Sequence, residues 1–207
     1  MRIVIPLFDR FTALDAVGPY EVLKFLPGAE VVFAAAGSGP VRDASQWLAI
    51  TADATFADID SCDVLLVPGG PGTRGLLQDG ELLGWIRRMH RGSSWTTSVC
   101  TGSLLLGAAG LLTGLSATTH WGAVDVLESF GATYTAERVV FQGKIVTAAG
   151  VSSGIDMALA LAARITDRTT AEAIQLAIEY DPRPPFDAGS PAKASQAVKD
   201  LLSRGIR

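Results

Sequence analysis

Short apolar runs that end in glycine turns or lead into helical stretches constrain the fold of this chain more than any other feature. The clearest run covers residues 63–67 (Asp-Val-Leu-Leu-Val) and ends in the loop 68–72 (Pro-Gly-Gly-Pro-Gly). A second run, 95–99, leads into a cluster of small residues. Continuous apolar strands of this kind are typical of parallel sheets, which are covered by helices on both faces.

The rest of the chain alternates between predicted strands and helices. We predict strands at 3–8, 30–35 and 47–50, a turn at 37–43, and helices at 14–26, 82–89, 104 onwards, 153–165, 170–180 and 192–203. Residues 138–147 break this rhythm, because two β-rich segments flank Gln142-Gly143 and predict a hairpin. The pattern favours an α/β fold with a mostly parallel sheet, helices on both faces and a small β-hairpin. Since no repeat or linker divides the chain, we expect one domain over residues 1–207.

Composition excludes several classes of function. Of the 207 residues 48% are hydrophobic, which is incompatible with disorder, and a net charge of -4 does not suit binding to nucleic acid. We find no apolar stretch of the ~18 residues that a membrane span needs, and the apolar start is too short for a signal peptide. We therefore expect a cytoplasmic protein that binds neither nucleic acid nor a membrane. Two cysteines and two histidines give no disulfide framework and no metal site.

Cys100 is the residue most suited to chemistry. It follows the predicted strand 95–99 and precedes a predicted helix, which is the pattern of a nucleophile elbow. Ser98 and Gly102 supply the small residues that such a tight turn needs. The positive end of the following helix would lower the pKa of the thiol and favour the thiolate. We interpret Cys62, beside a charged residue at a strand start, as a packing residue.

The glycine loop offers a second candidate group. In open α/β sheets ligands bind beyond the carboxyl ends of the strands, where the loop and Cys100 would meet. Backbone N–H groups of Gly69 and Gly70, together with that of Thr101, could hold a developing negative charge as an oxyanion hole does. We add Gly150 to these candidate substrate-binding residues.

Asp15 is the candidate acid or base. It lies among apolar residues just beyond the first strand, where partial desolvation would raise its pKa and suit proton transfer. The same pattern also fits a carboxylate in the first turn of a helix, and the sequence does not decide between them. His120 could approach the site, although a structural histidine is the simpler interpretation.

These segments resemble the ThiJ/PfpI cysteine superfamily, and within it the isocyanide hydratase branch. The resemblance is carried by segments spread over nearly the whole chain, namely residues 14–19, 67–70, 97–103, 106–112, 117–121, 154–156 and 184–191. It implies a flavodoxin-like three-layer sandwich, a homodimer, and the conversion of a small isocyanide and water into an N-substituted formamide without a cofactor.

The resemblance also implies roles for individual residues. It places the nucleophile at Cys100, the general acid/base at Asp15, and a supporting hydroxyl and backbone donor at Thr101. Many protease-like and glyoxalase-like relatives have a histidine after the cysteine or a glutamate as the acid. Thr101 and Asp15 depart from that pattern and favour the hydratase. The implied hypothesis is that the Cys100 thiolate adds to the isocyanide carbon, forms a thioimidate with a proton from Asp15, and is released by water that Asp15 activates.

Two alternatives remain open at this stage. The first is another cysteine activity of the superfamily: glyoxalase, deglycase, amidase or redox sensor. The second is the ligand-sensing module of AraC-type regulators, which have similar elbow sequences followed by DNA-binding helices. Only about 25 residues follow the domain here, ending in Lys199, Arg204 and Arg207, and we expect them to be too few for those helices.

Overall fold

A computed structural model describes residues 1–204; the last three residues of the predicted domain 1–207, with Arg207, lie outside it. The strands are β1 (Arg2–Pro6), β2 (Glu30–Ala35), β3 (Gly39–Arg42), β4 (Ala49–Ala52), β5 (Ala54–Thr55), β6 (Val64–Val67), β7 (Trp95–Val99), β8 (Ser116–Ala117), β9 (Thr133–Tyr134), β10 (Val139–Gln142) and β11 (Ile145–Ala148). The helices are α1 (Ala13–Leu23), α2 (Thr73–Leu76), α3 (Gly80–Gly92), α4 (Gly102–Ala108), α5 (Val124–Ser129), α6 (Ser153–Ile165), α7 (Arg168–Ala177) and α8 (Gln196–Ser203).

Seven strands form the central sheet in the order β10-β11-β7-β6-β1-β2-β5. Every neighbouring pair is parallel except β10 and β11, which form the predicted antiparallel hairpin at one edge. Helices α1, α6 and α7 pack together as one layer, and α2 to α5 pack together as the other. The fold is therefore the expected α/β sandwich with helices on both faces.

The core consists mainly of the central strands and the helix faces against them. Residues Val64–Val67 of β6 are buried without exception, as their continuous apolar sequence predicts. Parallel strands place their carboxyl ends at one edge, so the loops after β1, β6, β7 and β11 meet there. No helix within residues 1–204 is long and apolar enough to cross a membrane.

The turn expected at 37–43 is wrong. Residues Gly39–Arg42 form β3, which pairs antiparallel with β4 in a separate two-stranded ribbon. Glycine and proline suggested a turn, but Pro40 is tolerated because a two-stranded ribbon leaves one side of each strand without backbone partners. The C-terminal helix also begins later than expected, at Gln196, where the Ser195 hydroxyl accepts a hydrogen bond from the Val198 N–H.

We expect Gly102→Ala to destabilise the fold. A Cβ at Gly102 would lie 2.2 Å from the carbonyl oxygen of Val67 and 2.8 Å from that of Pro68, so backbone must move. Overpacking of this kind should lower the free energy of unfolding by about 2–3 kcal/mol, measured by chemical denaturation.

Gly84→Ala is the matched control. Gly84 lies within α3, and a Cβ there meets only the end of the Arg87 side chain at 3.9 Å. Because alanine favours helix, this change should raise the free energy of unfolding by up to about 1 kcal/mol. If both substitutions changed the free energy of unfolding equally, Gly102 would not be packed closely against the Val67 and Pro68 carbonyl groups.

Candidate active site

Cys100 lies on a tight turn between β7 and α4, as predicted. Its φ of 58° is in the left-handed region that side chains rarely adopt. Its N–H lies 3.1 Å from the carbonyl oxygen of Ala148 and 2.9 Å from that of Ala149, and donates to both. Its own carbonyl accepts hydrogen bonds from the hydroxyls of Ser103 and Thr119, each at 3.1 Å. These bonds hold an unfavourable backbone conformation at a residue that lines a cavity.

Small residues surround the turn for a steric reason. The side chain of Ser98 is fully buried, and Gly102 lies against the carbonyl groups at the end of β6. The strand, the loop after β6 and the helix α4 therefore approach too closely for larger side chains. This confirms the interpretation of the segment 98–102 as an elbow.

Asp15 is held directly beside Cys100. It lies in the first turn of α1 and is completely buried, and it is the one charged side chain in that state within residues 1–204. Its Oδ2 accepts a hydrogen bond of 2.9 Å from the Gly69 N–H, and its carboxylate also contacts the Cys100 thiol. Its Oδ1 has no hydrogen-bonding partner within residues 1–204. Burial outweighs these hydrogen bonds and raises the pKa of Asp15 from 3.8 to about 7.

The predicted role of Gly69 and Gly70 needs correction. The Gly69 N–H donates to Asp15, and the Gly70 N–H donates to the Thr101 hydroxyl at 2.8 Å. Neither amide is free to stabilise an oxyanion. Instead, the two glycines orient the acid and the residue that follows the cysteine.

The donors that lower the pKa of the Cys100 thiol come from two other places. They are the backbone N–H groups of Val151 and Thr101, with a contribution from the Thr101 hydroxyl. Sequence reasoning identified Thr101 and missed Val151, which has a φ of 28°. Val151 follows β11, the strand beside β7, so the parallel order of the strands is the signal that could have found it.

The expectation of a low pKa for Cys100 is wrong. Burial and the negative charge of Asp15 raise the pKa of the thiol to about 12, although the N–H donors oppose that shift. The side chain is only 5% exposed, so the thiol is not a freely accessible surface group. Desolvation therefore outweighs the N–H donors, including that of Thr101 at the start of α4. Cys62 is also buried, as its packing role predicts.

Gly150 and His120 lie against each other. A Cβ at Gly150 would approach His120 Cδ2 to 3.1 Å, so Gly150 makes room for the imidazole, and its neighbour Val151 contacts the sulfur. The Nδ1 atom of His120 accepts the Gly122 N–H at 3.1 Å, which places the ring proton on Nε2. Burial and the charge of Arg74 lower the pKa of His120, so the imidazole is neutral at pH 7.

A cavity of about 260 Å³ opens above the thiol. Cys100, Thr101, His120, Val151 and Arg74 are among the residues that line it. Its size suits a small organic molecule that approaches the sulfur from outside. Within residues 1–204 no three His, Cys, Asp or Glu side chains are grouped closely enough to hold a metal ion.

The family follows from a comparison with family models. The model of the DJ-1/PfpI family matches residues 1–164 of the chain. The chain belongs to the DJ-1/PfpI family. Within this family it is 45% identical over 194 residues to the isonitrile hydratase of Pseudomonas putida, covering 94% of this chain and 85% of that protein.

Solved structures of the DJ-1/PfpI fold agree with this assignment. A ThiJ/PfpI family protein from Pseudomonas syringae superposes with a TM-score of 0.93 at 40% identity, covering 98% of this chain and 84% of that one. Oxidized DJ-1 of Toxoplasma gondii superposes with a TM-score of 0.76 at 24% identity, over 87% of this chain and 99% of that one, which shows a shared fold.

The buried carboxyl of Asp15 should make stability depend on pH in an unusual direction. The pKa is about 7 in the folded chain and 3.8 as a model value, so the unfolded chain ionises first as pH rises. Stability should therefore fall between pH 4 and 7, by at most about 1.4 kcal/mol per pH unit from this group, and level off above pH 7. Asp15→Asn should remove this fall, as measured by urea denaturation at several pH values.

Asp125→Asn provides the control, because Asp125 is exposed in α5. The free energy of unfolding of Asp125→Asn should depend on pH in the same way as that of the wild type. A fall in stability that persists in the Asp15 variant would mean that another group causes it.

Proposed function

We propose that this chain is an isocyanide hydratase, which adds water to an isocyanide R–NC and releases the formamide R–NH–CHO. The observation that carries the proposal is a fully buried Asp15, with its pKa raised to about 7, in contact with the Cys100 thiol. Such a carboxyl can take up and release a proton near neutral pH. The 45% identity to an isonitrile hydratase supports the same reaction.

In the first step Asp15 takes the thiol proton while the Cys100 sulfur bonds to the terminal carbon of the isocyanide. Since the thiol has a pKa of about 12, the proton must leave as the sulfur attacks. The Asp15 carboxyl then delivers that proton to the same carbon, which gives the thioimidate R–N=CH–S–Cys100. The N–H groups of Val151 and Thr101 stabilise the charge on the sulfur while it is unprotonated.

In the second step Asp15 removes a proton from water as the water oxygen bonds to the thioimidate carbon, and Asp15 then passes that proton to the nitrogen. The tetrahedral adduct R–NH–CH(OH)–S–Cys100 then collapses. The carbon–sulfur bond breaks, Asp15 carries the hydroxyl proton to the departing sulfur, and the products are R–NH–CHO and the regenerated thiol. The net reaction consumes one water, and the chain supplies each proton transfer from Asp15 and Cys100.

The site does not favour the other activities equally. A redox sensor needs an accessible thiolate, whereas Cys100 is buried and its pKa is raised. The side chain after the cysteine is a threonine that bonds to Gly70, so it cannot act as a histidine base would. These observations weigh against a sensor and against a Cys–His hydrolase.

We further propose that residues 1–207 act as one domain. A single core runs through the described part of the chain, from β1 to α7. The homodimer and the cytoplasmic location stay predictions. Light scattering of the purified protein would check the first.

The first experiment is formamide production from an aryl isocyanide. Wild type should turn over, and Cys100→Ala and Asp15→Asn should each lower kcat/KM by at least about a thousandfold, since each removes a group that acts as part of one unit. Product should be followed by liquid chromatography, and folding checked by circular dichroism.

Cys62→Ala is the matched control, because it removes the other buried cysteine and leaves the cavity intact. It should keep wild-type activity to within about twofold. Turnover that survives Cys100→Ala would refute the proposed nucleophile. If wild type does not hydrate isocyanides but converts methylglyoxal to lactate, the protein is a glyoxalase.

A further inference from the structure

The cavity beside Cys100 has a cationic wall that the mechanism does not use. Arg74 lies on α2, lines the cavity together with Cys100, and has an exposed side chain. None of the ion pairs within residues 1–204 involves it. An arginine beside a catalytic thiol, with five N–H donors and no carboxylate partner, is suited to bind an anion.

His120 supplies a second donor to the same wall. Because its Nδ1 accepts the Gly122 N–H, its proton is on Nε2, which has no hydrogen-bonding partner within residues 1–204. The ring lines the cavity and lies close enough to Arg74 for the guanidinium charge to affect its protonation. His120 therefore adds a ring N–H donor to the residues that line this cavity.

No acidic side chain competes for these donors inside the cavity. Its lining contains no Asp or Glu. The nearby carboxylate of Asp15 is completely buried, accepts a hydrogen bond from the Gly69 N–H, and lies beside the Cys100 thiol. The wall is therefore positively charged on the side that an entering molecule meets.

We propose that Arg74 and His120 form a subsite for an anionic group, such as a carboxylate, on the substrate. A cavity of about 260 Å³ suits a small isocyanide whose carboxylate lies a few bonds from the reacting carbon. The choice of an isocyanide rests on the proposed function, whereas the anion subsite itself does not. Arg74 and His120 are specificity residues here, because they bind the far end of the substrate.

The first test compares two alkylating agents that differ mainly in charge. The Cys100 sulfur displaces iodide from iodoacetate or from iodoacetamide, forming a carbon–sulfur bond and releasing iodide and the thiol proton. In wild type the ratio of the iodoacetate rate to the iodoacetamide rate should be about tenfold higher than in Arg74→Gln. Mass spectrometry after digestion would assign the modification to Cys100 rather than Cys62.

Arg88→Gln is the matched control, because it removes an exposed arginine from α3 that does not line this cavity. It should leave the ratio unchanged, and Arg74→Lys should keep part of the preference. An equal change in both arginine variants would reveal only long-range attraction and would overturn the subsite. An unchanged ratio in Arg74→Gln would overturn it as well.

The second test uses isocyanoacetate and its methyl ester as substrates. Arg74→Gln should lower kcat/KM for the carboxylate about tenfold, mainly through KM, and change that for the ester less than twofold. Equal losses for both substrates would overturn the subsite while leaving the hydratase intact. Failure of wild type to hydrate either compound would count against the proposed function, and the alkylation ratios would still decide the subsite.

Discussion

The active site depends on the close approach of Asp15 and Thr101 to the backbone of Gly69. A Cβ there would lie 2.5 Å from the Thr101 backbone nitrogen and 2.9 Å from Asp15 Oδ2. Only a residue without a side chain lets the loop after β6 touch the first turn of α1 and the start of α4 at once. The Gly69 N–H then fixes Asp15, and the adjacent Gly70 fixes Thr101. One loop thus positions both the acid and the residue that follows the nucleophile.

Burial sets the pKa values of Asp15 and Cys100, and with them the reactivity of the pair. The enclosed position raises the pKa of Asp15 to about 7 and that of Cys100 to about 12. A thiol with a low pKa would be ionised at neutral pH, whereas this thiol needs a base at the moment of attack. Since the carboxyl in contact with it accepts protons near neutral pH, the two groups act as one proton-transfer unit. Such a unit can pass the thiol proton to the carboxyl as the sulfur attacks an electrophile in the cavity.

Local patterns predicted the elements that local sequence controls. The strand Trp95–Val99 and the elbow at Cys100 follow from an apolar run beside small residues, and Asp15 follows from a charge among apolar neighbours. Contacts across the sheet could not be predicted in this way. Val151 lies near the sulfur because β11 lies beside β7. Arg74 lines the cavity because α2 directly follows the glycine loop.

The use of the glycine amides shows why an oxyanion hole could not be assigned from sequence. A glycine loop beside an elbow shows that backbone N–H groups are near, but the acceptors come from side chains of other elements. Here Asp15 and Thr101 take both amides, while Asp15 Oδ1 has no partner within residues 1–204. An unpaired buried oxygen costs about 1–3 kcal/mol. A carboxylate whose oxygens all accepted hydrogen bonds would have a lower pKa and would stay ionised. The incomplete hydrogen bonding of Asp15 therefore helps it to exchange a proton, at a cost to the free energy of unfolding.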